Sequence, residues 1–202
     1  MKKLNINGFE EVIIERSDYS LEKCKSILKE EVTAIIGYGP QGYGQGLNMR
    51  DQGFNVILGL RKGTSWDKAL ADGWVESKNL FGIEDAVKKG TIIQYLLSDA
   101  GQIQVWPIVK NNLKPGDALY FSHGFGIVFN KDTGIIPPDN VDVVLVAPKG
   151  SGLTVRTHFQ SGKGINSSFA IHQDFTGNAR ERCLATAFAI GSGHSFETTF
   201  EK

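Results

Sequence analysis

A chain of 202 residues is enough for one domain, at most two, with a core that buries roughly two thirds to three quarters of the unfolded surface. Its 22 Lys and Arg balance 22 Asp and Glu, so no surplus field draws it onto nucleic acid or an anionic membrane, and neither partner is expected. With 41% hydrophobic and 22% charged residues disorder is excluded as the default. The 24 glycines, about 12% against a usual value near 7%, point to tight turns or to backbone that approaches a ligand closely.

Two cysteines, Cys24 and Cys183, form no CxxC pair and no ligand cluster, so neither a disulfide framework nor a zinc site is supported and a reducing compartment fits. The basic start Met1-Lys2-Lys3 runs into Asn5, Asn7, Gly8, Glu10 and Glu11, which does not read as a secretory signal. No apolar run approaches the roughly 20 residues that span a bilayer. The expected location is cytoplasmic.

In chain order, Val12-Ile13-Ile14 and a helical stretch over 21–28 precede the main pattern as an extension of about 30 residues that packs against it. Residues 31–36 form an apolar, β-branched strand that stops at Gly37, and 41–52 a helix closed by Gly53. Residues 54–60 read as a second strand, 66–71 and 83–89 as helices, and 91–97 as an apolar strand with little alternation, suited to a parallel sheet buried on both faces. A helix over 99–112, strands over 118–121, 141–147 and 165–171, and an amphipathic helix over 178–190 complete the series. This alternation predicts a single α/β domain of Rossmann type: a doubly wound, mostly parallel sheet with helices on both faces.

The glycine turn Gly37-Tyr38-Gly39-Pro40-Gln41-Gly42 lies between the first strand of that series and its helix. In such a setting the first glycine makes the turn, the second leaves room for a pyrophosphate, the third lets helix meet strand, and the helix N-terminus supplies N–H donors. A tight turn without a ligand is the alternative. It is weakened by Gly44 and Gly46, each of which should cost a helix about 1 kcal/mol relative to Ala, so close packing against ligand or protein is implied.

At the end of the second strand an NAD site usually carries Asp or Glu for the ribose 2′-OH. Here Leu58-Gly59-Leu60 leads into Arg61-Lys62-Gly63-Thr64-Ser65, cations and hydroxyls suited to a 2′-phosphate, so NADP(H) is favoured. A solvated basic turn is the alternative, and the placement one strand after the glycine turn argues against it. Three further strand ends carry candidates: Asp99 after Leu97-Ser98, equally readable as an N-cap; His123 between Ser122 and Gly124; and Lys149 between Pro148 and Gly150. His158, His172 and His194 lack such a setting.

Taken in order, these stretches resemble ketol-acid reductoisomerase, the acetohydroxy acid isomeroreductase family. The matching segments are the glycine turn with Gly46-Leu47-Asn48-Met49-Arg50-Asp51-Gln52-Gly53, then Gly59-Leu60-Arg61-Lys62-Gly63-Thr64-Ser65-Trp66, then Leu97-Ser98-Asp99-Ala100-Gly101-Gln102. Ser122-His123-Gly124-Phe125 and Ala147-Pro148-Lys149-Gly150-Ser151-Gly152 with Val155-Arg156 follow. The resemblance implies that Gly37, Tyr38, Gly39, Pro40, Gln41, Gly42, Arg61, Thr64, Ser65, Leu97, Ser98, Asp99, Ala100, Gly101, Gln102 and Gly152 bind the cofactor. Lys62 is a less secure member of that set, and His123 and Lys149 are the implied catalytic residues.

It further implies a two-stage reaction in valine and isoleucine synthesis: magnesium promotes an alkyl shift in a 2-acetohydroxy acid such as 2-acetolactate, and NADPH reduces the resulting ketone. His123 and Lys149 would sit beside the metal without binding it. The family's metal-binding carboxylates belong to a C-terminal, knotted helical domain that would begin near Lys202. No cluster among Glu10, Glu11, Glu30, Glu31, Glu84 and Asp85 replaces them. The chain alone is therefore expected to bind NADPH without isomerising substrate, the complete enzyme being a homo-oligomer. A non-catalytic dinucleotide-binding module, or another small NADP-dependent dehydrogenase that dimerises, is the competing reading.

Overall fold

The computed structural model describes residues 2–202, so Met1 of the basic start lies outside the described residues. Its strands are β1 (Lys2–Ile6), β2 (Phe9–Glu15), β3 (Thr33–Ile36), β4 (Val56–Gly59), β5 (Leu80–Phe81), β6 (Ile92–Tyr95), β7 (Ala118–Phe121), β8 (Asp142–Pro148), β9 (Ile165–Gln173) and β10 (Ser192–Glu197). The helices are α1 (Leu21–Ile27), α2 (Pro40–Asp51), α3 (Thr64–Ala71), α4 (Ile83–Lys89), α5 (Asp99–Asn112), α6 (Phe125–Val128), α7 (Asn130–Thr133), α8 (Gly152–Gln160) and α9 (Ala179–Ala189).

All these strands join one sheet in the order β1-β2-β10-β9-β8-β7-β6-β3-β4-β5. From β5 to β8 the neighbours are parallel, and the strand order reverses between β3 and β6, the switch point of a doubly wound sheet. Beyond β8 the sheet becomes mixed: β9 runs antiparallel to β8, β10 parallel to β9, and β2 antiparallel to β10. Every residue of β3, β4, β6 and β7 is buried, because helices cover both faces and leave no solvent side to alternate toward. Successive residues still point to opposite faces. Ile35, Leu58 and Tyr120 pack with Leu47, Met49 and Phe188 on one side, whereas Ala34, Ile36 and Leu119 pack with Val87, Val105 and Trp106 on the other.

Within residues 2–30, β1 and β2 join the sheet and α1 packs against α9. Asn7 and Gly8 both have positive φ, 52° and 89°, the conformation that closes a tight hairpin, and so join β1 to β2. The 178–190 helix also differs from its predicted amphipathic form: α9 is buried at Ala179 and throughout from Arg182 to Ala189. It lies beneath β8, β9 and α1, so nearly every side needs a small or apolar residue. Its one deeply buried cation, Arg182, donates from Nη1 to Asp142 (2.8 Å) and to the Gly116 carbonyl (2.9 Å), and from Nη2 to Glu31 (3.1 Å). Asp142 also accepts from the amides of Phe175 and Thr176 at 2.9 Å. This network fixes the amino ends of the strands, the edge opposite the site described below.

Asp117, 3% exposed, sits beside that network and accepts from the Lys114 amide at 2.8 Å. Burial pushes its carboxyl up to about 6 from an ordinary 3.8, against the opposing effect of that hydrogen bond. The folded chain therefore keeps a proton that the unfolded chain releases between about pH 4 and 6, and the stability associated with it is lost as pH rises through 6. Asp117→Asn, which keeps an acceptor but removes the buried charge, is expected to raise stability above pH 7 by up to about 3 kcal/mol. Urea unfolding at several pH values checks this; an unchanged slope between pH 4 and 6 would count against it.

Candidate functional site

The carboxyl ends of β3, β4, β6, β7 and β8 open onto one edge of the sheet. A cleft of about 740 Å³ runs along it, lined by the glycine turn from Gly37 to Gln41, by Gly59 to Ser65, by Leu96 to Ser98, and by His123, Ser151 and Gly152. A recess of about 710 Å³ shares Leu60, Arg61 and Lys62 with the cleft and extends to Glu76, Phe81 and Gln104.

Each glycine of the turn meets a different demand. Gly37 has φ +107°, and a Cβ there would stand 2.7 Å from the Leu96 carbonyl oxygen. A Cβ on Gly39 would meet nothing within 4 Å, so this position leaves room on the cleft side. On Gly42 it would strike the Gly37 carbonyl oxygen at 2.1 Å; Gly42 is therefore a packing residue that lets α2 start close to β3, and it does not line the cleft. Tyr38 contributes to the wall, but its hydroxyl donates to Asp72 at 3.0 Å and accepts from Trp74 Nε1 at 3.0 Å. Its ring anchors the turn to the core.

Gly44 and Gly46 pack against protein. A Cβ on Gly44 would lie 2.2 Å from the Gly152 carbonyl oxygen, and one on Gly152 would lie 1.6 Å from the Pro40 carbonyl oxygen. Helices α2 and α8 thus cross backbone to backbone at the cleft wall. A chain of amide and hydroxyl groups extends from the same crossing. Gln41 Nε2 donates to the Gly150 carbonyl (3.0 Å), Gln45 Nε2 to Gln41 (2.9 Å) and to Ser122 Oγ (3.0 Å), and the Tyr120 hydroxyl to Gln45 Oε1 (2.9 Å). Gln45 is fully buried, and it links the glycine-turn helix to the strand end before His123 and to the loop after Lys149.

Arg61, exposed at the mouth, donates from Nη1 to Gln104 at 3.1 Å. Thr64 and Ser65 open α3 behind Gly63, whose φ is +136°, and no side chain caps that helix. Its first amides are therefore available to an anion. Lys62 instead pairs with Glu76 at 2.6 Å.

Among the remaining predicted residues, Leu97 and Ser98 line the cleft. Ser98, rather than Asp99, is the N-cap of α5, accepting from the Gly101 amide at 3.4 Å. Asp99 is freed from capping and faces His123, Oδ1 to Nε2 3.5 Å, both about half exposed. Ala100 and Gly101 lie outside the lining. Gln102, 2% exposed, donates to the carbonyls of Tyr95 and Leu97 at 3.2 Å; it ties α5 to β6 and has no surface left for a ligand. Lys149 stands on the same sheet edge with its amide bonded to Asn166 O at 2.8 Å, but its exposed side chain is not part of the cleft wall. No three His, Cys, Asp or Glu gather as metal ligands among the described residues, and no helix among them is long and apolar enough to cross a membrane.

Sequence reasoning missed Gln45, Ser122, Ser151 and Glu76. Gln41 and Gln45 carried a signal, since a four-residue spacing puts both on one helix face directly after the turn.

Sheet order, switch point and glycine turn together define the class: a dinucleotide-binding domain of Rossmann type. Residues 27–195 match the family described as "Acetohydroxy acid isomeroreductase, NADPH-binding domain", and the chain belongs to that family. It is 58% identical over its full length to "Ketol-acid reductoisomerase (NAD(+))" of Desulfosudis oleivorans, covering 58% of that protein. It is 55% identical, again over its full length, to "Probable ketol-acid reductoisomerase, mitochondrial" of Schizosaccharomyces pombe, covering 50% of it. A solved NADH-preferring ketol-acid reductoisomerase from an uncultured archean superposes with a TM-score of 0.85 at 36% identity, over 94% of this chain and 57% of that one. The chain thus spans between half and three fifths of the length of these relatives.

Proposed function

We propose that the chain supplies the NADPH-binding, hydride-transferring part of a ketol-acid reductoisomerase, which converts 2-acetohydroxy acids such as 2-acetolactate to 2,3-dihydroxy acids in branched-chain amino acid synthesis. One observation carries this reading: the glycine turn, Arg61, Thr64, Ser65 and His123 all border a single cleft. The site fits a dinucleotide, since the space at Gly39 and the amides opening α2 suit a pyrophosphate, and Arg61 with the start of α3 suits a 2′-phosphate. NADPH, when bound, supplies the hydride. Leu96 and Leu97 give the cleft, which His123 also lines, an apolar wall on which a nicotinamide ring could rest. His123, oriented by Asp99, exchanges a proton with the substrate oxygen. Lys149 stands on the same sheet edge with its side chain exposed beyond the cleft wall, so it would add positive charge to the substrate oxygen only by turning inward.

The described residues do not fit magnesium. His123 and Asp99 offer one imidazole and one carboxylate, and no group of three or more His, Cys, Asp or Glu gathers among the described residues, whereas a pair of ions polarising both substrate oxygens needs carboxylates to hold and bridge them. Isomerisation is therefore assigned to residues outside this chain, within a complete homo-oligomeric enzyme. The purified chain should bind NADPH saturably in a calorimetric titration. With 2-acetolactate, NADPH and magnesium, it should leave the nicotinamide absorbance unchanged. Absence of binding would remove the cofactor reading, and formation of the dihydroxy acid would show that the metal-dependent machinery lies within these residues.

A further inference from the structure

Lys62, which follows Arg61 in the basic turn, does not stand free at the cleft mouth. Its ammonium lies 2.6 Å from Glu76 Oε1 and 3.6 Å from the centroid of the Trp66 ring. Trp66 is buried at the start of α3, so the lysine is held over that helix. Glu76 arrives from the turn after α3, where it is held in register. The Val75 amide donates to Asn79 Oδ1 at 2.7 Å, the Ser77 amide donates to Leu80 O at 3.1 Å, and Glu76 bridges to Leu80 beside β5. Glu76 lines the recess together with Arg61 and Lys62.

The end of β4 lacks the acidic residue that would accept from a ribose 2′-OH, but the fold delivers a carboxylate to the same recess from a later turn. That carboxylate has two effects on the adenosine end of a dinucleotide. It neutralises Lys62, leaving Arg61 as the unneutralised cation of the basic turn, and it repels the two negative charges that a 2′-phosphate adds. A ribose hydroxyl experiences neither penalty. We infer that Glu76 is a specificity-determining residue that limits the preference for NADPH over NADH, opposing Arg61. This rests on the cofactor site proposed above.

The Lys62 and Glu76 side chains are 66% and 55% exposed, so water and salt screen the effect and it amounts to a few-fold, not a switch. The test is titration of the purified chain and its Glu76→Gln variant with NADPH and NADH, at low salt and again at about 0.5 M salt, where screening extends to within a few ångströms. NADPH should bind Glu76→Gln roughly three- to tenfold more tightly at low salt, with NADH unchanged or slightly weaker, and the gain should shrink at high salt. Glu76→Ala should act in the same direction. Lys62→Met in the Glu76→Gln background should take back part of the gain. An equal change for both cofactors, no change for either, or a gain indifferent to salt would overturn the inference while leaving the cofactor site standing. Failure of the unaltered chain to bind either nucleotide would overturn the site and the inference together.

Discussion

Gly152→Ala is expected to lose both most of the cleft's affinity for NADPH and a large part of the chain's stability. A Cβ on Gly152 would stand 1.6 Å from the Pro40 carbonyl oxygen and 2.6 Å from the Gln41 amide nitrogen. Both are backbone atoms of the glycine turn, so no flexible side chain can yield, and α8 must move away from α2. A Cβ on Gly44 would itself lie 2.2 Å from Gly152 O, so sliding along the crossing offers no relief. Overpacking of a core typically costs about 1–3 kcal/mol, and a backbone clash belongs at or beyond the upper end. At roughly 2–4 °C per kcal/mol for a chain of this size, the melting temperature should fall by about 6–12 °C. Binding should weaken more than tenfold, because Pro40, Gln41, Ser151 and Gly152 are themselves cleft wall. Gly82→Ala, at a negative φ with nothing within 4 Å of its Cβ, is the control: it loses only the preference for Gly over Ala at an N-cap, about 1 kcal/mol, and should melt well above Gly152→Ala. Thermal unfolding and a cofactor titration read the two effects, and unaltered melting with intact binding would show that the crossing relaxes freely.

The same crossing shows why some of the site was legible in the sequence and some was not. Gly44 and Gly46 signalled a close approach, because helices disfavour glycine, but nothing local named Gly152 as the partner across more than a hundred residues. The central strands were legible for a simple reason: β3, β4, β6 and β7 are buried along their whole length, and unbroken apolar runs record that directly. Strand β10, Ser192–Glu197, carries no such run. It exists because β9 and β2 pair with it on either side, and its buried Ser192 and Ser195 hydroxyls are satisfied by Ser167 at 2.8 and 3.2 Å. Strand β1 has a single local signal, the Asn7-Gly8 turn that pairs it with β2. Helix α8 was concealed by the glycine at its first position, although Ser151 accepts from the Thr154 amide at 3.2 Å as an ordinary N-cap.

For the site, strand ends sufficed to gather the glycine turn, Arg61, Leu97, Ser98 and His123 around one cleft, since a doubly wound sheet puts all carboxyl ends on one edge. The contacts that orient those residues are long-range and were not legible. Tyr120 and Gln45 are brought together by β7 and α2, and Glu76 reaches Lys62 only through the turn after α3. Gln102 belongs to a segment that matches the family's cofactor stretch, yet it is buried and its amide nitrogen is consumed by the carbonyls of Tyr95 and Leu97. Position in a motif says where a residue stands and not which way its side chain is spent.

Arg61→Ala is expected to weaken NADPH by about ten- to a hundredfold while leaving NADH nearly unchanged. Arg61 follows Leu60, which is buried and whose amide is bonded to Phe81 O at 3.0 Å, so the guanidinium is carried on a firmly held backbone at the mouth of the cleft. Its bond to Gln104 is exposed, and exchanging such a neutral acceptor for water or phosphate costs little, whereas hydrogen bonds to a charged partner are worth about 1.5–3 kcal/mol each. That range corresponds to roughly ten- to 150-fold in affinity. Arg61→Lys should fall between the two, because an ammonium keeps the charge but loses the planar pair of donors. The NADPH loss should also diminish as salt rises, while a loss of shape would not. Parallel titrations with both cofactors decide the matter. If NADH weakens as much as NADPH, Arg61 holds the pyrophosphate or the loop itself, and the 2′-phosphate must then be recognised by the first turn of α3, through Thr64 and Ser65.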